Sequence, residues 1–340
     1  MRYSISNMLK TFIWLAVLFT AGCSSFGAVN APTPTPTPTS APTFSVTVTP
    51  TLLPFTGKIA FVSYDNMDNH HINVMNANGS GLVDITPPNP PRKIEFLSWS
   101  PDGQYIVFDA WKDEVRQIFK VKSNGSDLVQ LTFGKNGGSS PSWSPDGKSI
   151  MFASSNPDIL DSTGVPGAPQ IYIMNSDGTG MRRFVVKEKP DNTTMTGSYR
   201  KDGLIAVEEP ITRYVVTNYI VNSEGVMQNQ FPEFSTDTPI AWSPDGNFVA
   251  YSPGYRVPGC FGIVVIKFDQ SEQKCLMDQQ LNSSVYFVQT FWSPDGKYIL
   301  FLSNLNGDYD LYVIRTDGSG LTQLTNMPGH EDWAVWWSAP

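Results

Sequence analysis

From Gly57 onward the chain is a succession of short apolar runs of strand length, each closed off by Gly, Pro, Asn or Asp. GKIAFVS at 57, QYIVFDA at 104, KSIMFAS at 148, NFVAYSP at 247 and KYILFLS at 297 are rich in β-branched and aromatic residues, which suit a half-buried pleated surface. All but the first follow the pentapeptide WSPDG, at 99–103, 143–147, 242–246 and 292–296. In Ser-Pro-Asp-Gly, proline presets φ for the first turn position, aspartate suits the second, and glycine accepts positive φ at the exit. The pattern predicts a type I turn with a glycine bulge inside a β-hairpin. Downstream come a second strand and a second tight turn, as in IYIMNSDGTG at 171 and LYVIRTDGSG at 311, then a short strand such as LVQLT at 128 or LTQLT at 321. Strands thus come in fours, and no long helical periodicity occurs outside the first twenty residues.

The unit repeats. Trp99 and Trp143 are 44 residues apart, Trp242 and Trp292 are 50 apart, and Trp292 and Trp337 are 45 apart. The gap of 99 between Trp143 and Trp242 spans two periods, and its middle holds SYRKDG at 198–203, a worn copy with Tyr199 in the aromatic place. Four-stranded repeats of about 40–50 residues predict an all-β fold, a six-bladed β-propeller in which neighbouring blades bury each other's faces. WSAP at 337–340 is half a motif and GKIAFVS supplies the other half. One blade is therefore expected to take its inner strand from the C-terminus and its three outer strands from the N-terminal side, closing the ring and removing sheet edges. On this reading Trp99, Trp143, Trp242, Trp292 and Trp337 pack between blades, and the motif aspartates fix the turns.

WSPDG followed by K-x-I-x-F-x-S, then I/L-Y-V-M-N-x-D-G-S-G and x-x-L-T, resembles the repeat of the TolB-like β-propeller family over about residues 57–340. The TolB N-terminal domain has no counterpart, because a low-complexity spacer passes straight into the first blade; the family's Tol and Pal partners therefore do not carry over. Similar propellers cap prolyl oligopeptidases and occur in carbohydrate-active proteins, so the resemblance implies the fold more than the function.

The N-terminal segment reads separately. Arg2 and Lys10 precede an apolar core, Phe12 to Phe19, too short for a membrane span, and Thr20-Ala21-Gly22-Cys23 resembles the lipobox of bacterial lipoproteins, with Thr20 where leucine is usual. The resemblance implies cleavage after residue 22, lipidation of Cys23, and an exported protein held on a bacterial cell membrane or outer membrane. Residues 23–54, with their Pro-Thr alternation, read as an extended spacer before a propeller at 55–340. Loss of Arg2 and Lys10 takes the net charge from −8 to −10, which excludes nucleic acid as a natural partner.

Strands alternate in direction within a blade, so tight turns gather on one face and long connections on the other, where binding is expected. Outside the needs of the repeat on that face stand His70, His71, Trp111, Lys112, Tyr255, Arg256, His330, Glu331, Asp332 and Trp333. Adjacent His70 and His71 cannot share a strand face, and 306–310 lacks the spacing and closing glutamate of a calcium hand, so no metal site is assigned. No Gly-x-Ser-x-Gly elbow occurs, and SPDG is too short for a sialidase box. These readings point to a monomeric binding or scaffold protein for an envelope protein or glycan, without cofactor or catalytic residues. The alternative is a lyase or glycoside hydrolase built on the same ring, with Glu208-Glu209 and Glu331-Asp332 as carboxylates across the channel.

Export would favour pairing Cys260 with Cys275. A hairpin reversing near Gln270 and Ser271, however, would set Cys275 opposite Lys267 and Cys260 opposite Leu281. That offset is roughly 20 Å, against the ~7 Å a disulfide tolerates. The expectation is two free thiols, with Cys275 packed in its blade.

Overall fold

The computed structural model describes residues 55–65, 69–155, 169–188, 196–212, 215–230, 234–235, 240–253, 260, 262–277 and 286–339. The signal segment, Cys23, the spacer, Tyr255 and Arg256 lie outside them.

Six antiparallel sheets, each with a four-stranded path, form the blades. Blade 1 is Arg92–Trp99, Tyr105–Lys112, Val115–Lys122 and Val129–Gln130. Blade 2 is Ser139–Trp143, Ser149–Ser155, Pro169–Asn175 and Arg182–Arg183. Blade 3 is Thr196–Tyr199, Ile205–Thr212, Val215–Val221 and Met227–Gln230, with Phe234–Ser235 added beside the third strand. Blade 4 is Ala241–Trp242, Phe248–Tyr251, Val264–Lys267 and Gln273–Cys275. Blade 5 is Phe287–Trp292, Tyr298–Ser303, Asp310–Arg315 and Thr322–Gln323. Blade 6 joins the C-terminal strand His330–Trp337 to Lys58–Tyr64, His70–Asn76 and Val83–Asp84. The first strands of blades 4, 5, 6, 1, 2 and 3 lie side by side in that order around a central channel. The expected six blades and their closure are therefore present.

Local chemistry explains each SPDG turn. In blade 1 the Ser100 hydroxyl donates to Asp102 Oδ1 at 2.6 Å and accepts the Tyr105 N–H at 2.9 Å, while Asp102 Oδ1 accepts the Gln104 N–H at 3.0 Å. Gly103 N–H closes the turn on Ser100 O at 2.9 Å with φ of +69°. Ser144–Asp146, Ser243–Asp245 and Ser293–Asp295 repeat the arrangement.

The strand pairing corrects the motif in the closing blade. Ile59 pairs with Trp336, as Ile106 pairs with Trp99 and Ile150 with Trp143, so Trp336 and not Trp337 holds the repeat position. The indole bonds agree: Trp292 Nε1 donates to the carbonyl before Trp242, and Trp99 Nε1 to the carbonyl of Val335, just before Trp336. Trp337 takes the place of the motif serine. It reaches across to the next turn, donating to Pro101 O at 3.0 Å and lying so close over Gly103 that a Cβ there would meet the indole at 2.4 Å.

Apolar clusters fill the seams between blades. Val62, Ile72 and Val74 of blade 6 pack with Trp99, Ile106 and Phe108 of blade 1, and Val107 and Ile118 of blade 1 pack with Trp143 and Phe152 of blade 2. Between blades 3 and 4 the Arg200 guanidinium sits 4.8 Å above the Trp242 ring and covers Gly246, which makes that seam a cation–π contact at the turns.

Cys260 and Cys275 form a disulfide with Cα atoms 5.7 Å apart, contrary to the expected free thiols. Two assumptions fail. The hairpin reverses earlier, so Cys275 pairs with Val264 and not Lys267. The chain also leaves the extended path at a bend at Gly262, which returns Cys260 to its partner.

Candidate functional site

The turns after first and third strands share one face, and the connections after second and fourth strands share the other, which is hereafter the loop-rich face. Blade 1 is tighter there than its sequence implied. Residues 109–112 continue the second strand, and Asp113 and Glu114, both at positive φ (49° and 63°), make a two-residue turn of the type I′ kind.

At the channel mouth on this face, the inner strands bulge. Register shifts interrupt the first strands of blades 1, 2, 5 and 6, and Phe96, Ser140, Gln289 and Trp333 take φ between 45° and 53°. Positive φ is costly for a bulky side chain, and a bulge re-aims what it carries. Here it stacks Phe96 on Trp333 with ring centroids 3.7 Å apart. The Arg116 guanidinium lies 5.9 Å over the Phe96 ring and 5.8 Å over the Trp111 ring, linking the three aromatic groups.

Carboxylates hold this arginine. Arg116 Nη2 donates to Glu95 Oε2, and Nη1 reaches Asp109 Oδ2 at 3.4 Å. Asp109 is 0% exposed; its Oδ2 also accepts the Ser140 N–H at 3.0 Å, while Oδ1 has no hydrogen-bond partner. Burial raises the Asp109 pKa well above the usual carboxylate range, with Arg116 pulling it down and Glu95 pushing it up. Asp332 is pushed up to about 6 by burial, although it accepts bonds from the Gln289 side chain and the Trp333 N–H.

The other sequence candidates fall into separate places. Tyr64 stacks on His70 at 5.1 Å and meets His330 at 5.5 Å; His70 Nδ1 contacts Ile94 O, and His71, on the opposite strand face, pairs with Asp84 at 2.9 Å. Lys112 donates to Gln130 at 2.8 Å, away from the mouth. Glu331 is only 2% exposed, accepts from Thr325 at 3.0 Å, and neighbours the buried carboxyl of Asp310 in blade 5. Burial, then the neighbouring Asp310, pushes Glu331 up to about 8. In blade 3, burial raises Glu208 to about 7, and Glu209 accepts from the Tyr219 hydroxyl at 2.7 Å. The structure therefore brings together Trp111, Asp332 and Trp333 from the expected set, and adds Glu95, Phe96, Asp109, Arg116 and Gln289. Glu95 and Arg116 left no distinct sequence signal, because their strands also carry Arg92, Lys93, Lys120 and Lys122.

Two clefts stand out among the described residues. One of about 340 Å³ lies on the tight-turn face between blades 4 and 5, but its Asp245 and Asp295 are spent on the motif serines and turn N–H groups. The other, about 250 Å³, opens on the loop-rich face between blades 1 and 2 and is lined by Trp111 and Arg116. It adjoins the mouth.

The fold is a six-bladed propeller with one tight-turn face and one loop-rich face. The chain belongs to the TolB β-propeller domain family, whose model matches residues 45–283. Among solved structures it is similar to TolB from Acinetobacter baumannii (19% identity, TM-score 0.65, 83% of this chain and 67% of that one). It is also similar to hydrazine synthase of Kuenenia stuttgartiensis (13%, 0.64, 84% and 47%) and to a putative TolB of Agrobacterium tumefaciens (14%, 0.56, 83% and 99%). At these identities the likeness is one of fold. No curated protein matches the sequence significantly.

Proposed function

We propose that this chain is an exported, lipid-anchored, monomeric binding protein that holds an envelope protein or glycan on the loop-rich face of its propeller, without chemistry of its own. The observation that carries the reading is the channel mouth, where costly positive-φ bulges present Phe96 and Trp333 beside Arg116. Strain of this kind persists where the surroundings over-determine it, and it concentrates at ligand clamps.

The tether fits this orientation. Phe55, where the described chain begins, packs against Tyr298 at 4.4 Å and Trp336 at 5.6 Å, and Thr56 O accepts the Trp336 indole N–H. All lie at the tight-turn end of their strands. The chain that precedes Phe55 therefore joins the ring on the face opposite the mouth. Export and anchoring rest on the lipobox resemblance.

Two measurements test the reading. Cys23→Ser is expected to move the protein from membrane to soluble fraction after fractionation; retention on the membrane overturns the lipid anchor. Cross-linking in intact cells is expected to trap an envelope partner with the native chain and not with a Phe96→Ser/Trp333→Ser variant that melts within a few degrees of it. Equal trapping overturns the mouth as the binding site.

A further inference from the structure

The cleft between blades 1 and 2 has walls fixed before any ligand arrives. Ser154 Oγ contacts the carbonyls of Asn136 and Gly137 at 3.0 and 2.9 Å, and Gly138 N–H bonds to Arg116 O at 2.8 Å. Gln117 Nε2 holds Gly134 O at 2.7 Å. The connection presses so closely on blade 1 that a Cβ on Gly137 would lie 2.1 Å from Arg116 O. A preformed wall of this kind spares a ligand the entropy of ordering it.

The chemistry on offer is neutral. Arg116 is already engaged by Glu95 and Asp109, so it is not a free receptor for an anion, and those carboxylates are not free receptors for a cation. What remains is an aromatic plane with small polar groups. Trp111 is 38% exposed and carries the guanidinium over its ring. Asn136 and Ser139 line the same cleft, and the side chain of neither forms a hydrogen bond within the described residues. About 250 Å³ is too small for a bulky ligand and suits one ring or one residue of a chain.

We propose that this cleft is a subsite for one residue of a neutral oligosaccharide, whose C–H face stacks on Trp111 while its hydroxyls bond to Asn136 and Ser139; this rests on the loop-rich face being the binding face. Aliphatic C–H groups of a sugar ring complement the negative face of an indole, and unpaired neutral donors and acceptors complement its hydroxyls. A charged peptide side chain would find no unpaired countercharge among the described residues that line the cleft.

The test uses the full chain in a polyoxyethylene detergent, free of sugar headgroups, titrated with chitotriose, maltotriose, cellotriose and mannotriose and, as a charged control, trigalacturonate. Tryptophan fluorescence and calorimetry are the readouts. At least one neutral trisaccharide is expected to saturate below about 20 mM, a weak but measurable affinity. Trp111→Ala is expected to weaken it at least ~10-fold, as loss of a stacking platform does, and Trp111→Tyr less so. Asn136→Ala and Ser139→Ala are expected to weaken it several-fold, and Lys112→Ala to leave it unchanged. Should Trp111→Ala fail to fold, Trp111→Tyr and Ser139→Ala carry the decision. No saturable binding of any neutral probe, binding indifferent to Trp111 and Ser139, or a preference for trigalacturonate overturns the proposal. A partner trapped through Phe96 and Trp333 in the absence of sugar binding would leave the wider binding role standing and remove only this subsite.

Discussion

The two faces of the ring handle backbone conformation differently. On the tight-turn face, positive φ falls on glycine at 103, 147, 203, 246 and 296 after the first strands, and at 79, 125, 178, 225 and 318 after the third, with Asp127 and Gln270 as the exceptions. On the loop-rich face it falls on Gly134, Gly137, Gly307 and Gly329 but also on Asn89, Lys93, Phe96, Asp113, Glu114, Ser140, Gln289 and Trp333. Non-glycine residues there cost on the order of 1–3 kcal/mol each. One face closes its turns with Ser and Asp on local backbone groups; the other carries most of the positive-φ bulges and turns on bulky residues. Stability is thus concentrated at the turns and seams, and the proposed binding surface lies where local structure is least favourable. The comparison makes distinct demands on mutations at each face.

The largest effect is expected at a seam. Trp99 is nearly buried, donates to Val335 O and lies 5.9 Å from the Trp337 ring, so it joins the closing blade to the first. Trp99→Ala is expected to cost about 3–5 kcal/mol, a drop in Tm on the order of 10 °C by calorimetry. Trp111→Ala, at a half-exposed position on the loop-rich face, is expected to cost about 1 kcal/mol or less. Equal losses would show that the two faces do not divide stability and binding in this way.

The disulfide comes next, because it staples blade 4 where its neighbour on one side is held by Arg200 over Trp242. Closing a loop with a sequence separation of 15 residues is expected to contribute about 3 kcal/mol, so Cys260→Ser/Cys275→Ser lowers Tm by about 6–12 °C. Reductant is then expected to lower the native protein and leave the variant unmoved; a native protein insensitive to reductant would place the staple outside the stability of the ring.

These elements were unequally legible. SPDG could be read directly, because serine, aspartate and glycine act on backbone groups within five residues of themselves. Trp336 and Trp337 could not be told apart locally, since only pairing with Lys58–Tyr64, at the other end of the sequence, sets which one enters the seam. The cysteines misled because a three-residue error in register and one bend at Gly262 outweigh a distance reckoned along straight strands. In the candidate site, Trp111, Asp332 and Trp333 stood out as residues the repeat does not require. Phe96 did not, because in an ordinary strand it would be one more alternating apolar residue, and a bulge leaves no mark in composition.

A smaller effect is expected from pH. Glu331 has a carboxyl pKa near 4.5 when unfolded and about 8 in the seam between blades 5 and 6, so between those values the folded chain keeps a proton that the unfolded chain releases. Its stabilising contribution is complete below about 4.5 and is lost as pH rises through about 8. Asp332, raised to about 6, and Glu208, raised to about 7, act in the same direction. Tm is therefore expected to fall as pH rises from about 5 to 8, with Asp332 contributing only up to about 6 and Glu208 up to about 7, and Glu331→Gln, neutral throughout, to flatten that fall by ~3 °C. A variant with the native slope would remove Glu331 as its source.

The smallest effect sharpens the comparison most, because it asks whether the loop-rich face gives up stability that substitution can restore. Asp113 and Glu114 form a two-residue turn with φ of 49° and 63°, where asparagine and glycine are the favoured residues. Lys112 pairs with Val115 across it, so the hairpin is already in register and only the turn residues are at odds with their conformation. Asp113→Asn/Glu114→Gly is expected to raise stability by about 1 kcal/mol, near 3 °C in Tm, by removing the side-chain penalty at positive φ. The entropy glycine adds to the unfolded chain works against that gain and keeps it small. No comparable gain is open at Gly103 or Gly246, where glycine already stands and a Cβ would meet Trp337 or Arg200. A turn variant no more stable than the native chain would mean that this strain is relieved by its surroundings, and that the two faces differ in composition without differing in energy.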